Sequence, residues 1–222
     1  MGEQPVMSWF TQTVFSSLGK KYIMAITGLM LGGFLLVHAA GNSSIFLGRA
    51  AFLSYAEHLH ALGPLLHVAE LILLGVFLAH IVTGMILFFH NLGARSSKYA
   101  VQKSAGGRSW GSATMPYTGL IIFSFILLHL FNFHFTDHSR TIADIVADVL
   151  SRPLYTFLYI GGLCGLGLHV SHGFWSMFQS MGVNHPKYEG MIRACAWLIC
   201  GLIVAVFVVI VFLLLVNSSV LV

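Results

Sequence analysis

Charge is what this sequence has least of: Asp, Glu, Lys and Arg together make up 8% of its 222 residues, against about 25% in soluble domains. With 57% hydrophobic residues and a mean hydropathy of +0.87, that scarcity excludes a soluble globular domain and marks a polytopic membrane protein. The formal net charge is only +4 and dispersed, which excludes the concentrated basic surface that nucleic acid requires. Cysteine is limited to Cys164, Cys195 and Cys200, each within an apolar run. Their odd number and spacing offer neither a disulfide framework nor a thiolate metal site, so they read as packing residues. The first 20 residues contain no compact apolar core ending at a small-residue cleavage site. The first apolar run is therefore expected to stay in the mature chain.

Long apolar runs are what the sequence does have. A bilayer core about 30 Å thick takes roughly 20 residues of helix, and five runs meet this, near 22–40, 64–90, 114–135, 154–181 and 192–216. Polar segments at 41–63, 91–113, 136–153 and 182–191 separate them. The expectation is an all-α membrane bundle of five helices forming one domain over 1–222, with no extramembrane domain. Lys20, Lys21, Arg95, Lys98, Lys103, Arg108, Lys187 and Arg193 lie at the start and in the second and fourth segments, whereas only Arg49, Arg140 and Arg152 lie in the first and third. This bias puts the N-terminus in the cytoplasm. The basic second segment, RSSKYAVQKSAGGRSW, then faces the cytoplasm, where anionic lipid or a soluble partner can meet it.

Histidine is abundant where cations are not: 12 His against 11 Lys and Arg. Four runs carry His within the expected hydrocarbon, where an ionisable residue costs a few kcal/mol to insert and points to function. His38 lies 17 residues after Lys21, and His129 lies 17 after Ser112, so both sit about 25 Å from the inner face. His80 lies 11 residues before Asn91, and His172 lies 10 before Gly182, so both sit about 15–17 Å from that face. His169, one turn before His172, matches His80 less well in depth. Two levels of two imidazoles, roughly 10 Å apart in depth, suit axial pairs on two haem irons. Six-coordinate bis-His iron has no open position and carries electrons. Zinc wants three or four convergent ligands, and a proton relay wants carboxylates, of which only Glu70 lies within an apolar run. Gly28, Gly32, Gly33, Gly75, Gly84, Gly161, Gly162, Gly165 and Gly167 suit either a flat macrocycle or close helix contact, with GxxxG spacing at Gly28/Gly32 and Gly161/Gly165.

Two dense motifs carry a resemblance. SSLGKKYIMAITGLMLGGFLLVHAAGN, from Ser16 to Asn42, followed by FLSYAEHLHALG, and LHVSHGFWSMFQSMGVNHPKY, from Leu168 to Tyr188, resemble the single-chain cytochrome b subunit of succinate dehydrogenases and menaquinol fumarate reductases. The GKK at Gly19–Lys21 is no phosphate loop, since Val14 stands where the first glycine is needed. The resemblance implies five transmembrane helices enclosing two b haems in the cell inner membrane. It implies a quinone site for menaquinone or menaquinol, and docking to a flavoprotein subunit and an iron–sulfur subunit on the cytoplasmic side. By motif the ligands fall on His38 and His172, with His80 and His129 following. They pair crosswise, first helix with third and second with fourth. A glutamate found in some of these fumarate reductases two residues before the fourth-helix ligand is Val170 here, which argues against that proton pathway.

Oxidising a quinol releases protons as well as electrons, so a proton acceptor is needed beside the electron acceptor. Glu57, in the YAEHLH stretch, and Glu70, about 9 Å into the second run, are the candidates, with His58 and His60 nearby. Haem propionates call for cationic partners, and Lys20, Lys21, Arg95 and Lys187 on the inner side or Arg49 and Arg140 on the outer are within reach. Trp9, Trp110 and Trp175 near inner helix ends fit an interfacial aromatic belt. Two other readings compete: the cytochrome b of another respiratory complex such as formate dehydrogenase or hydrogenase, and a haem-free transporter or proton channel. The latter needs internal repeats or broken helices, which the sequence does not display.

Overall fold

The computed structural model describes residues 9–93, 110–137, 139–183 and 185–221. Their regular elements are α1 (Trp9–Phe15), α2 (Ser17–Asn42), α3 (Arg49–His60), α4 (Pro64–Gly93), α5 (Trp110–Phe133), α6 (Ile142–Leu150), α7 (Pro153–Ser180) and α8 (Glu189–Val216), with short 3-10 turns at Ser43–Leu47, Pro186–Tyr188 and Ser218–Val220. Five helices, α2, α4, α5, α7 and α8, are long and apolar enough to cross a membrane. They fall on the five expected runs, with ends that differ from expectation by at most five residues. Helix ends lie where cap chemistry puts them. The Ser16 hydroxyl accepts from the Gly19 amide at 3.0 Å to start α2, and Pro153 opens α7, where its missing N–H is no loss. Gly182, with φ of +70°, ends α7. There the Gly182 and Val183 amides return to the Gln179 and Phe178 carbonyls, the paired bonds of a Schellman stop.

Packing sets the arrangement of the spans. α2 lies against α4 and α7, α5 lies against α7, and α4 meets α5 over a short stretch, so these four form a ring. α8 packs outside it, chiefly on α7. In such a ring α2 stands diagonally across from α5, and α4 across from α7. Glycines draw one edge of the ring tight: a Cβ at Gly162 would overlap the Phe125 ring, and one at Gly165 would come 2.7 Å from Ile121 Cγ2. Close α5–α7 contact is thus the role of those two residues. Gly161 and Gly32 meet nothing within 4 Å, so the expected GxxxG pairs do not act as pairs.

The segments 41–63 and 136–153, expected to be polar connections, each contain a helix. α6 is the more consequential. Thr141 accepts from the Asp144 amide at 3.3 Å and donates to its carboxylate at 2.6 Å, a capping pair at the helix start. Beyond it Ala143, Val146, Ala147 and Leu150 are buried with Ile45, Phe52, Tyr159, Leu163, Ile210, Val211, Leu214 and Leu221. The best-packed core therefore sits at one end of the bundle, plugged by α6. Arg49 fastens that end, donating to Asp144 at 2.7 Å, to the Leu221 carbonyl, and to Thr141 at 3.3 Å. Arg152 at 3.0 Å and Arg140 at 3.4 Å share Asp148. Hydrogen bonds from Arg49 and Thr141 pull the Asp144 carboxyl down to about 2, and its carboxylate in turn raises Arg49. Arg152, then Arg140, lower Asp148. All three cations of the first and third segments are thus matched by carboxylates.

Candidate functional site

Two pairs of imidazoles lie inside the ring of helices, and each pair spans a diagonal. His38 of α2 and His129 of α5 have ring centroids 5.8 Å apart at an interplanar angle of 83°. His80 of α4 and His169 of α7 have centroids 6.3 Å apart at 66°. The bond from an imidazole nitrogen to a metal is about 2 Å long, and the ring centroid lies about 1 Å behind the nitrogen. An axial pair therefore needs centroids roughly 6 Å apart, which both pairs meet. Among the described residues no group of three or more His, Cys, Asp or Glu converges, so each site offers two ligands.

The chain is similar to a succinate dehydrogenase cytochrome b subunit. The relative is the succinate dehydrogenase cytochrome b558 subunit of Bacillus subtilis (strain 168), 25% identical over 157 residues, which cover 69% of this chain and 74% of that protein. No family model and no solved structure matches the chain.

The spacing of the pairs can be read along the helices that build them. Thr27 of α2 contacts His80, and His38 lies 11 residues further along α2; Thr118 of α5 contacts His169, and His129 lies 11 residues further along α5. At 1.5 Å per residue the two levels are about 16 Å apart along the helix axes, wider than the roughly 10 Å expected from depth. Hydropathy counting assumed that every run begins or ends in one plane, whereas α2 begins at Ser17 and α4 runs on to Gly93.

His172 is where expectation and structure differ. The ring opposite His80 is His169, and His172 lies elsewhere. Its ring rests on Gly111 of α5, where a Cβ would come 2.6 Å from Nδ1, and its centroid is 5.8 Å from that of Trp175. Trp175 in turn lies under the Arg193 guanidinium at 4.0 Å. Three residues along a helix turn a side chain by about 300° and move it about 4.5 Å, a difference that counting from a run's end does not resolve.

The two pairs have different surroundings. His38 lies against Phe34 and Phe207, and His129 against Phe125, Phe133 and Tyr159, all with centroids within 5.2–6.3 Å. Asn132 donates to the Tyr159 hydroxyl at 3.1 Å, fixing that ring beside His129. Around His80 and His169 the neighbours are small and polar instead: Thr27 and Gly28 of α2 for His80, Thr118 and Gly119 of α5 for His169. Thr27, Thr118 and Gly119 did not emerge from the sequence, because their role depends on which helix neighbours which.

The proton-acceptor candidates stand apart from both pairs. Glu57 is exposed on α3, and Glu70 of α4 faces His67 at 3.2 Å, its side chain 41% exposed. The nearby His58 and His60 rings turn back to the Ser54 and Ala56 carbonyls at 2.7 and 2.8 Å. Lys20 is half-buried in the first turn of α2. Arg95, Lys98, Lys103 and Arg108 lie outside the described residues.

Proposed function

We propose that this chain is the dihaem membrane anchor of a succinate:quinone oxidoreductase, a succinate dehydrogenase or fumarate reductase. It passes electrons between a menaquinone pool and cytoplasmic iron–sulfur and flavoprotein subunits. The observation that carries this reading is the pair of facing imidazoles on each diagonal of the α2–α4–α5–α7 ring, at separations suited to axial ligation. The similarity to the B. subtilis subunit supports the choice of complex. His38 with His129, and His80 with His169, would hold the two b haems, with Lys20 and Arg95 as partners for propionates. Bound there, the groups would supply reversible one-electron chemistry.

The chain's own residues do the rest. Aromatic side chains around His38 and His129 exclude water from that level, and Glu57 or Glu70 accepts the proton that quinol releases. The chain lies in the inner membrane as a multi-pass protein, its N-terminus on the cytoplasmic side with the soluble subunits, an orientation that the Lys and Arg bias supports. The soluble subunits exchange electrons at the His80/His169 level, which makes the His38/His129 level the quinone side. Purification from native membranes with the soluble subunits bound, two b haems per chain, and a reduced-minus-oxidised spectrum of cytochrome b test the proposal. Co-purification with other respiratory subunits would reassign the complex, and a colourless protein would end the reading. Glu57→Gln and Glu70→Gln test the proton acceptor. The responsible variant should lose quinone-linked turnover while keeping its haem, and normal turnover in both variants would remove both residues from the mechanism.

A further inference from the structure

The His80/His169 site carries a second feature that the ligand assignment does not require. The Thr27 side chain is buried, its hydroxyl 2.7 Å from the Ile23 carbonyl one turn back and 3.0 Å from His80 Nδ1. Thr118 is buried in the same way, its hydroxyl 3.1 Å from the Thr114 carbonyl and 3.1 Å from His169 Nδ1. A hydroxyl has one proton and two lone pairs. With its proton bonded to the carbonyls of its own helix, each threonine oxygen accepts from the ring; that arrangement makes Nδ1 the protonated nitrogen of both imidazoles and leaves each lone pair on Nε2, and for His169 the Met115 carbonyl is a further acceptor.

Glycine follows the threonine on both helices. A Cβ at Gly28 would come 3.3 Å from His80 Cε1, and one at Gly119 would come 3.6 Å from His169 Cε1. The same Thr-Gly pair thus seats each ring on the neighbouring helix, α2 for the α4 histidine and α5 for the α7 histidine. The other site is built differently. Among the described residues His38 Nδ1 has the Asn42 amide at 3.4 Å, a donor group that also donates to the His38 carbonyl at 2.9 Å, and no hydroxyl acceptor.

We propose that Thr27 and Thr118 are positioning residues that lock His80 and His169 as Nδ1–H tautomers, aim both Nε2 atoms at one iron, and bias that site towards its oxidised state. This rests on the haem reading above. The bias follows because an acceptor on the far ring nitrogen makes an imidazole a more basic ligand. Loss of such a partner commonly costs 10- to 100-fold in metal affinity.

The test uses Thr27→Val and Thr118→Val, which keep shape and lose the hydroxyl, with Thr→Ser at each position to restore it. In a redox titration of the intact complex, each Val variant should move the step of the His80/His169 haem to higher potential, with a changed low-spin ferric resonance. The double Val variant should move it further, and Ser should return it. The other haem's step should stay in place and serve as the internal control. Val variants that leave potential and resonance unchanged would overturn the proposal, as would Ser variants that fail to rescue, which would assign the threonines to packing. Nitrogen-15 NMR of histidine-labelled chain made without haem reads the lock independently. One Nδ1–H signal should lose its hydrogen-bonded shift in each Val variant, and no change would also overturn the proposal. If the NMR result holds while the native protein contains no haem, the threonine lock stands and the haem reading fails.

Discussion

Gly162 and Gly161 are adjacent on α7 and differ in what they face, which makes the α5–α7 edge testable by one methyl group. At Gly162 an added Cβ would overlap the Phe125 ring and come 3.0 Å from the Phe125 Cβ. The ring cannot relieve this by rotation alone, because its own Cβ is among the atoms approached, so α5 and α7 must part. Overpacking of this kind costs about 1–3 kcal/mol. At Gly161 the same Cβ meets nothing within 4 Å. Both changes replace helical Gly by Ala and gain the same propensity, about 1 kcal/mol, so the difference between the two variants isolates the packing. Gly162→Ala should therefore be less stable than Gly161→Ala by about 1–3 kcal/mol in equilibrium unfolding in detergent micelles. Phe125 also lies 6.0 Å from His129, so with haem held as proposed the Gly162 variant should disturb the absorption of the group at His38/His129 while sparing the other level, about 16 Å away along the helices. Equal stability of the two variants, or a spectral change confined to the His80/His169 site, would refute the α5–α7 packing described here.

Other consequences follow from the plugged end of the bundle. Asp144 is held at about 2, below the 3.8 of an ordinary aspartate, so its stabilising charge is intact above about pH 4 and lost as pH falls towards 2. Asp144→Asn should flatten the acid dependence of the melting temperature in that window, and an unaltered acid limb would contradict the Arg49 clamp. Thr141→Ala removes the α6 cap and should cost about 1 kcal/mol, read as a lowered melting temperature. Leu150, 4% exposed in the core that α6 closes, should cost 2–5 kcal/mol when cut to Ala; a surface-like cost would mean that α6 does not dock.

The five spans were legible because a bilayer imposes a length and a composition that no other constraint on the chain imitates. α6 went unread, although a signal for it stands in the sequence. Thr141 and Asp144 stand at capping spacing before Ile145, Val146, Val149 and Leu150, but nine residues are too few for a span and the charges of Asp144 and Asp148 pull the segment's hydropathy down. The crosswise order of the histidines could be argued from depth alone, since helix rise is nearly constant. Choosing between His169 and His172 could not, because the decision depends on rotation about α7, and that is fixed by Gly162 and Gly165 closing on α5. Thr27 and Thr118 were hidden for the same reason: a threonine in an apolar helix looks the same whether it faces lipid or a partner's imidazole.

Haem content measured on three proteins tests the central claim most directly: the native chain, His169→Ala and His172→Ala, each by haem assay and reduced-minus-oxidised spectrum. The account predicts two b haems in the native chain, one in His169→Ala, and two in His172→Ala with at most a perturbed band. One haem or none in the native chain, or loss of a haem from His172→Ala while His169→Ala keeps both, would contradict it.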